Sequence, residues 1–280
     1  MKKLNTALTI CFVVFCTYSC TQKTKQTEGP EEEKRTSIEM VTELGTIVLE
    51  LYNETPKHRD NFNQLANDGV LDSVLFHRVI ENFMIQGGDP DSKYAQPGDT
   101  LGNGGLDYRV DAEFNTALFH KKGALGAARD GNLARASSST QFYIVQGKIF
   151  NDSLLEVAEG RINGWLKQNA FKNDSSNQDI VSELIKAEEA EDWTRYAQLN
   201  NSINELMEDY QNFEKYSIPA AHREVYKSVG GTPHLDQNYT VFGEVVQGLE
   251  VVDAIAAVQT GAMDRPVKDV RILKVSVLNK

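Results

Sequence analysis

The run Phe76-His77-Arg78-Val79-Ile80-Glu81-Asn82-Phe83-Met84-Ile85-Gln86-Gly87-Gly88-Asp89 constrains the fold more than any other part of the chain. Two short apolar stretches flank Glu81-Asn82, and Gly-Gly-Asp closes the second, which is the pattern of a strand pair. Side chains alternate between the faces of a strand, so Met84 and Gln86 share one face while Phe83 and Ile85 share the other. Arg78, in the first strand, can converge on the Met84 and Gln86 face across the pair. Arginine is almost never fully buried unless paired. Two readings are therefore open. The guanidinium either snorkels over an apolar sheet edge, or it points with one amide into a shallow apolar groove. Such a groove suits an extended peptide better than a charged metabolite.

Phe76 to Ile80 followed by Phe83 to Asp89 resembles the signature of the cyclophilin-type peptidyl-prolyl isomerases, or rotamases. Two later stretches agree in the same order: Thr140-Gln141-Phe142-Tyr143-Ile144, and His234-Leu235-Asp236 with Thr240-Val241-Phe242-Gly243-Glu244-Val245. The resemblance covers residues 38–150 and 233–280. It implies a mainly β fold, a closed antiparallel eight-stranded barrel capped by two helices. It implies proline-containing polypeptides as substrates, with neither cofactor nor metal. Arg78 and Gln86 take the catalytic positions, and Phe83, Met84, Ala128, Arg129, Gln141, Tyr143, His234, Leu235 and Tyr239 the substrate-binding ones. Three positions depart from the usual pattern. Tyr143 stands where members usually have phenylalanine, His234 where many have tryptophan, and Tyr239 where many have histidine. The tyrosine at 143 keeps the ring and adds a hydroxyl that needs a partner.

Outside these stretches the chain divides simply. Residues 1–20 read as a targeting segment: Lys2 and Lys3, a short apolar core from Ala7 to Phe15, then Thr17-Tyr18-Ser19-Cys20 as a lipoprotein-like cleavage box. Cys11 and Cys16 lie within that segment, so Cys20 would remain as a lone thiol, and lipidation would account for it. Residues 21–37 carry almost nothing to bury and read as a flexible tether. A formal net charge of −11 argues against nucleic acid as a partner. The five histidines show no metal-ligand spacing. His77 reads as a strand residue satisfied by hydrogen bonding.

Within 38–280 the opening is a hairpin around Gly45, then a helix begun by Thr55 as N-cap and Pro56 at its first position. Tyr108 to Phe114 is expected to pair with the sheet. Gly248 opens a helix through Val258, and Lys268 to Leu278 supplies the closing strand. Residues 151–229 interrupt the resemblance. This insertion holds 15 acidic residues against eight basic ones. Apolar residues at three- and four-residue steps predict helices over 182–197 and 203–216, packed as a hairpin after a loop at 173–177. It is either a surface excursion closed on itself or the barrel, or an arm that docks a protein partner beside the groove. Trp165 lies outside the stripes, and its exposure bears on that choice. The functional expectation is an exported bacterial cell-envelope lipoprotein, held at the membrane by its N-terminal lipid, that isomerises X–Pro bonds and assists protein folding. The alternative is a catalytically weak module that captures proline-containing segments.

Overall fold

A computed structural model of the protein describes residues 34–278. The Cys20 expectation and most of the tether therefore lie outside the described residues. The chain opens with β1 (Ser37–Thr42) and β2 (Gly45–Leu51), a hairpin turned by Gly45. Helix α1 (Pro56–Asn67) follows, then the paired strands β3 (Arg78–Ile80) and β4 (Met84–Gly87). Next come β5 (Arg109–Val110), β6 (Ala124–Ala127), β7 (Ser137–Ser138) and β8 (Phe142–Val145). Four helices form the insertion: α2 (Asp152–Asn173), α3 (Gln178–Glu189), α4 (Trp193–Glu208) and α5 (Ala220–Ser228). The chain ends with β9 (Val241–Gln247), α6 (Leu249–Ala256) and β10 (Ile272–Val277).

Eight of the strands form one antiparallel sheet in the order β10-β1-β2-β9-β6-β8-β4-β3. The sheet curls, but the expected closed barrel overstates it. No ladder joins the edge strands β3 and β10. They approach through the single bridge Leu75–Arg271 and the backbone bonds around it, Phe76 N to Val270 O and Ile272 N to Val74 O, both 2.9 Å. β3 is only three residues long, so the segment before it meets β10 as irregular chain rather than as a strand. Tyr108 to Phe114 also departs from expectation. Only Arg109 and Val110 are extended, and they pair with β7 in a separate two-stranded sheet.

Alternation in the strands separates two apolar clusters. Phe142 and Ile144 of β8 turn into the main core with Ile85, while Tyr143 and Val145 turn the other way, towards Met84. Helices α1 and α6 close over that core through Phe62, Leu65, Val252 and Ile255. Thr55 and Pro56 open α1 at the expected positions, but the cap itself is different. The Thr55 hydroxyl makes no capping bond, and the first helical N–H groups are taken by the Glu113 carboxylate, from Lys57 N at 3.1 Å and His58 N at 3.0 Å. An acid at a helix N-terminus is favourable for the same reason that a local cap is.

The insertion is more helical than its stripes predicted and is divided differently. The 182–197 expectation breaks at Glu191, whose φ of 54° ends α3, and α4 stops at Glu208 rather than continuing to 216. The 22-residue α2 was not foreseen at all. Its apolar residues point in several directions because it serves three clusters. Leu155 and Ile162 pack with Ile218 and Tyr226, Trp165 packs on the cluster of Met84 and Tyr143, and Phe171 packs with α3 and α4. Such a helix shows no single apolar stripe.

Candidate active site

The register of the first strand pair sets the site. Arg78 lies directly opposite Gln86, so the cation and the amide share one face, as the alternation predicts. Phe83 does not obey the alternation. It precedes β4 in a turn that Asn82 enters with φ of 62°, and its ring lies with Met84 on the groove side rather than with Ile85 in the core. The face thus carries Arg78, Gln86, Phe83 and Met84 together, beside a groove of about 860 Å³.

One wall and the floor are apolar. Met84, Tyr143 and Leu235 are nearly fully buried at the groove's base, with Ala128 and Tyr239 beside them. Arg129 crosses the Tyr239 ring at 4.8 Å and is held by Asn238, through Nε to the carbonyl at 2.9 Å and Nη2 to Oδ1 at 2.8 Å. Two of the expected site residues stand behind the lining rather than in it. Gln141 accepts from Gln86 Nε2 at 3.1 Å and donates to the carbonyls of Gly102 and Gly104, at 2.9 and 2.7 Å. His234 stacks on Phe83, with ring centroids 5.5 Å apart. Burial holds the His234 imidazole down to about 4, so it sits there neutral.

The Tyr143 hydroxyl finds its partner in His120, whose Nε2 lies 2.8 Å away. Room for the phenol comes from Gly126 on the neighbouring strand. A Cβ there would fall 2.3 Å from the Tyr143 Cζ. Burial pushes the phenol well above its ordinary range, so it stays protonated.

The opposite wall was not foreseen. It is built from residues 97–103 and 261–269, and Arg265 ties the two segments together. Its Nη1 donates to the carbonyls of Gln96 and Asp99, at 3.2 and 2.9 Å, while Nε and Nη2 hold the Asp269 carboxylate. Asp264 on this wall accepts from Arg78 Nε at 3.2 Å. Met263 and Asp264 both have φ of 58°, the left-handed region that non-glycine residues seldom enter. No spacing pattern could link Asp264 to Arg78, because the two are 186 residues apart. His77 also lines this side. It is buried, neither ring nitrogen has a hydrogen-bond partner among the described residues, and burial lowers it to about 4. The hydrogen-bonded strand histidine expected from sequence is thus corrected to a neutral, desolvated ring. Trp165, the other residue in question, is half-buried against the groove cluster, whereas Trp193 of α4 is the exposed tryptophan.

A cation and an amide held over an apolar pocket can grip a peptide by its backbone while a small ring sits below. The family comparison decides what such a groove is. The model of the family described as cyclophilin type peptidyl-prolyl cis-trans isomerase/CLD matches residues 37–199 and 220–277. The chain belongs to that family. A Staphylococcus epidermidis protein, named provisionally as a peptidyl-prolyl cis-trans isomerase, is 30% identical over 88% of this chain and 93% of its own length. A Staphylococcus haemolyticus protein of the same name is 28% identical over 89% of this chain and 94% of its own. A Streptococcus pyogenes protein, named provisionally as a bifunctional phosphatase/peptidyl-prolyl cis-trans isomerase, is 29% identical over 86% of this chain, which spans 38% of its length. Among solved structures, a Cryptosporidium parvum cyclophilin-type isomerase superposes with a TM-score of 0.51 at 16% identity, covering 88% of this chain and 99% of that one. Its structure in the presence of the dipeptide Ala-Pro gives 0.50. These two speak for the fold.

Proposed function

We propose that the protein accelerates cis–trans isomerisation of X–Pro bonds in polypeptides outside the cytoplasm and so assists their folding. The observation that carries this reading is the Arg78–Gln86 register over the Phe83, Met84, Tyr143 and Leu235 pocket. Amide resonance opposes rotation about an X–Pro bond, and unassisted exchange takes tens of seconds or longer. Catalysis needs no nucleophile and no proton transfer. It needs the twisted amide held more tightly than the planar one. As the bond twists, the prolyl nitrogen becomes pyramidal and gains a lone pair. Arg78 is suited to donate to it, because guanidinium stays protonated and Asp264 takes Nε while the two terminal nitrogens remain for the groove. The apolar surround strengthens that bond. Gln86, oriented by Gln141, can hold a backbone group of the substrate while the pocket holds the proline ring.

Isomerisation of a short Ala-Pro peptide by the whole chain, beside Arg78→Ala, tests this directly. A rate well above the uncatalysed one, reduced at least about 100-fold in the variant, is expected for loss of one transition-state donor. A folded sample without acceleration would instead leave the groove as a site that captures proline-containing segments. The cellular part of the proposal rests on residues 1–20, and Cys20→Ser tests it. The protein should move from the membrane fraction to the soluble one if a lipid on Cys20 is its anchor.

A further inference from the structure

We propose that the buried hydrogen-bonded series Tyr226–Asp236–His120–Tyr143 makes helix α5 a positioning element for the proline pocket. This deepens the isomerase reading above and rests on it. The series begins in α5 and ends at the pocket floor. The Tyr226 hydroxyl donates to Asp236 Oδ2 at 2.7 Å. Asp236 Oδ1 accepts from the His120 backbone N–H at 3.0 Å and lies 2.8 Å from His120 Nδ1. His120 Nε2 then meets the Tyr143 hydroxyl at 2.8 Å. Side-chain exposure is 1% for His120 and 0% for Asp236, so water does not compete for these bonds.

The direction of each proton follows from the acceptors. A carboxylate accepts only, so His120 Nδ1 carries hydrogen, and in the neutral imidazole Nε2 then presents its lone pair. To that neutral imidazole the Tyr143 phenol donates. Burial pushes both phenols well up, which keeps those hydrogens in place. The two bonds on the Asp236 side fix the imidazole's tautomer and orientation, and the imidazole fixes the far end of the Tyr143 ring. The near side of the same ring faces the groove, edge-on to Tyr239 with centroids 6.0 Å apart. A phenylalanine at 143 would leave Nε2 buried and unpaired, and a phenylalanine at 226 would leave Asp236 one donor short.

The insertion is joined to this series at its neck as well. Its two ends meet where Gly231 N donates to Lys148 O at 3.0 Å, and Phe150 N donates to Tyr226 O at 3.0 Å. Gly231 has φ of 154°, and a Cβ there would fall 2.2 Å from the His120 carbonyl oxygen, so the neck lies directly against the histidine of the series. His120 and Tyr226 are accordingly positioning residues that act through Tyr143.

The test uses the whole chain with Tyr143→Phe, Tyr226→Phe and the double variant, each measured for kcat and KM on an Ala-Pro peptide. Nitrogen-15 histidine spectra of the same samples report the His120 tautomer. Tyr226→Phe should lower kcat about threefold with KM little changed, as expected for one lost buried hydrogen bond felt through a neighbour. The double variant should be no slower than Tyr143→Phe alone, because the effect of Tyr226 has no other route to the pocket. His120 should carry its hydrogen on Nδ1 in the wild type, and its Nε2 resonance should move in Tyr143→Phe. Losses that multiply in the double variant, or hydrogen on Nε2, would overturn the positioning role while leaving the isomerase reading intact. A wild-type chain no faster than Arg78→Ala would overturn the isomerase reading, and the pocket role with it.

Discussion

Two residues that carry no chemistry set the limits within which Arg78 works. Gly126 is one, since the Tyr143 phenol occupies the space its side chain would need. Gly126→Ala should push that ring towards the groove, at a stability cost of about 1–3 kcal/mol for overpacking. Its activity on an Ala-Pro peptide should fall further than the stability loss explains. A variant with near-normal activity and a lowered melting temperature would show that the pocket tolerates the displaced ring. His234 is the other. Its folded pKa lies near 4 against an ordinary 6.5, so below about pH 6.5 the unfolded chain binds the extra proton and the folded one does not. Stability therefore rises with pH between about 4 and 6.5 and is fully present above that window. His77 acts in the same direction over the same window. Each contributes roughly 3 kcal/mol at most. Urea unfolding at pH 7 and pH 4.5 should show the fall, and His234→Phe, which keeps the stack on Phe83, should make it smaller, the remainder coming from His77, His58 and His222, whose burial lowers them too. At this scale the sequence was most informative where period-two alternation applied, as for Arg78 opposite Gln86. It misled at Phe83, where a left-handed Asn82 turn cancels the alternation.

Among the elements, the loop over 261–265 has the greatest bearing on catalysis and was the least legible. Asp264 holds Arg78 from a backbone conformation that costs energy at two successive residues, and Arg265 fastens that loop to the segment before Asn103. The pair is exposed by more than 40% on both sides, so its worth is that of a surface ion pair, which limits the effect of losing it. Asp264→Asn should lower kcat by no more than about fivefold, and added salt should narrow the gap from the wild type, because salt screens the pair in the parent only. An effect as large as that of Arg78→Ala would mean that Asp264 itself contacts the substrate. Nothing in the sequence marks this loop, because long-range ion pairs leave no local pattern. Helix α2 is unmarked for a different reason. Its apolar residues serve three separate clusters, so no single stripe marks it, whereas α3 and α4 face one cluster and were seen in outline.

Across the whole molecule, the helices between β8 and β9 fall into two parts of different standing. Trp165 of α2 packs on the groove cluster, and α5 meets Tyr143 through the bonds from Tyr226 to Asp236 and His120. Helices α3 and α4 pack mainly on each other and on Phe171, around Leu184, Leu199 and Ile203, with Trp193 on their outer face. That division separates the two meanings the insertion could have from sequence. Replacing residues 178–208 by a short glycine-serine link removes the outer hairpin but keeps Tyr226, Trp165 and the neck. Isomerisation of a short peptide should then stay within about twofold of the full chain, since no residue of the hairpin's cluster touches the groove cluster. Stability should fall, because Phe171 and the end of α2 lose their cover. Refolding of a protein substrate limited by a proline bond supplies the contrast. If it slows in the truncated form while peptide turnover holds, the outer hairpin recruits clients to the groove. If both rates hold, the hairpin's apolar stripe serves only to close on itself, and the insertion's contribution to catalysis is confined to α2 and α5.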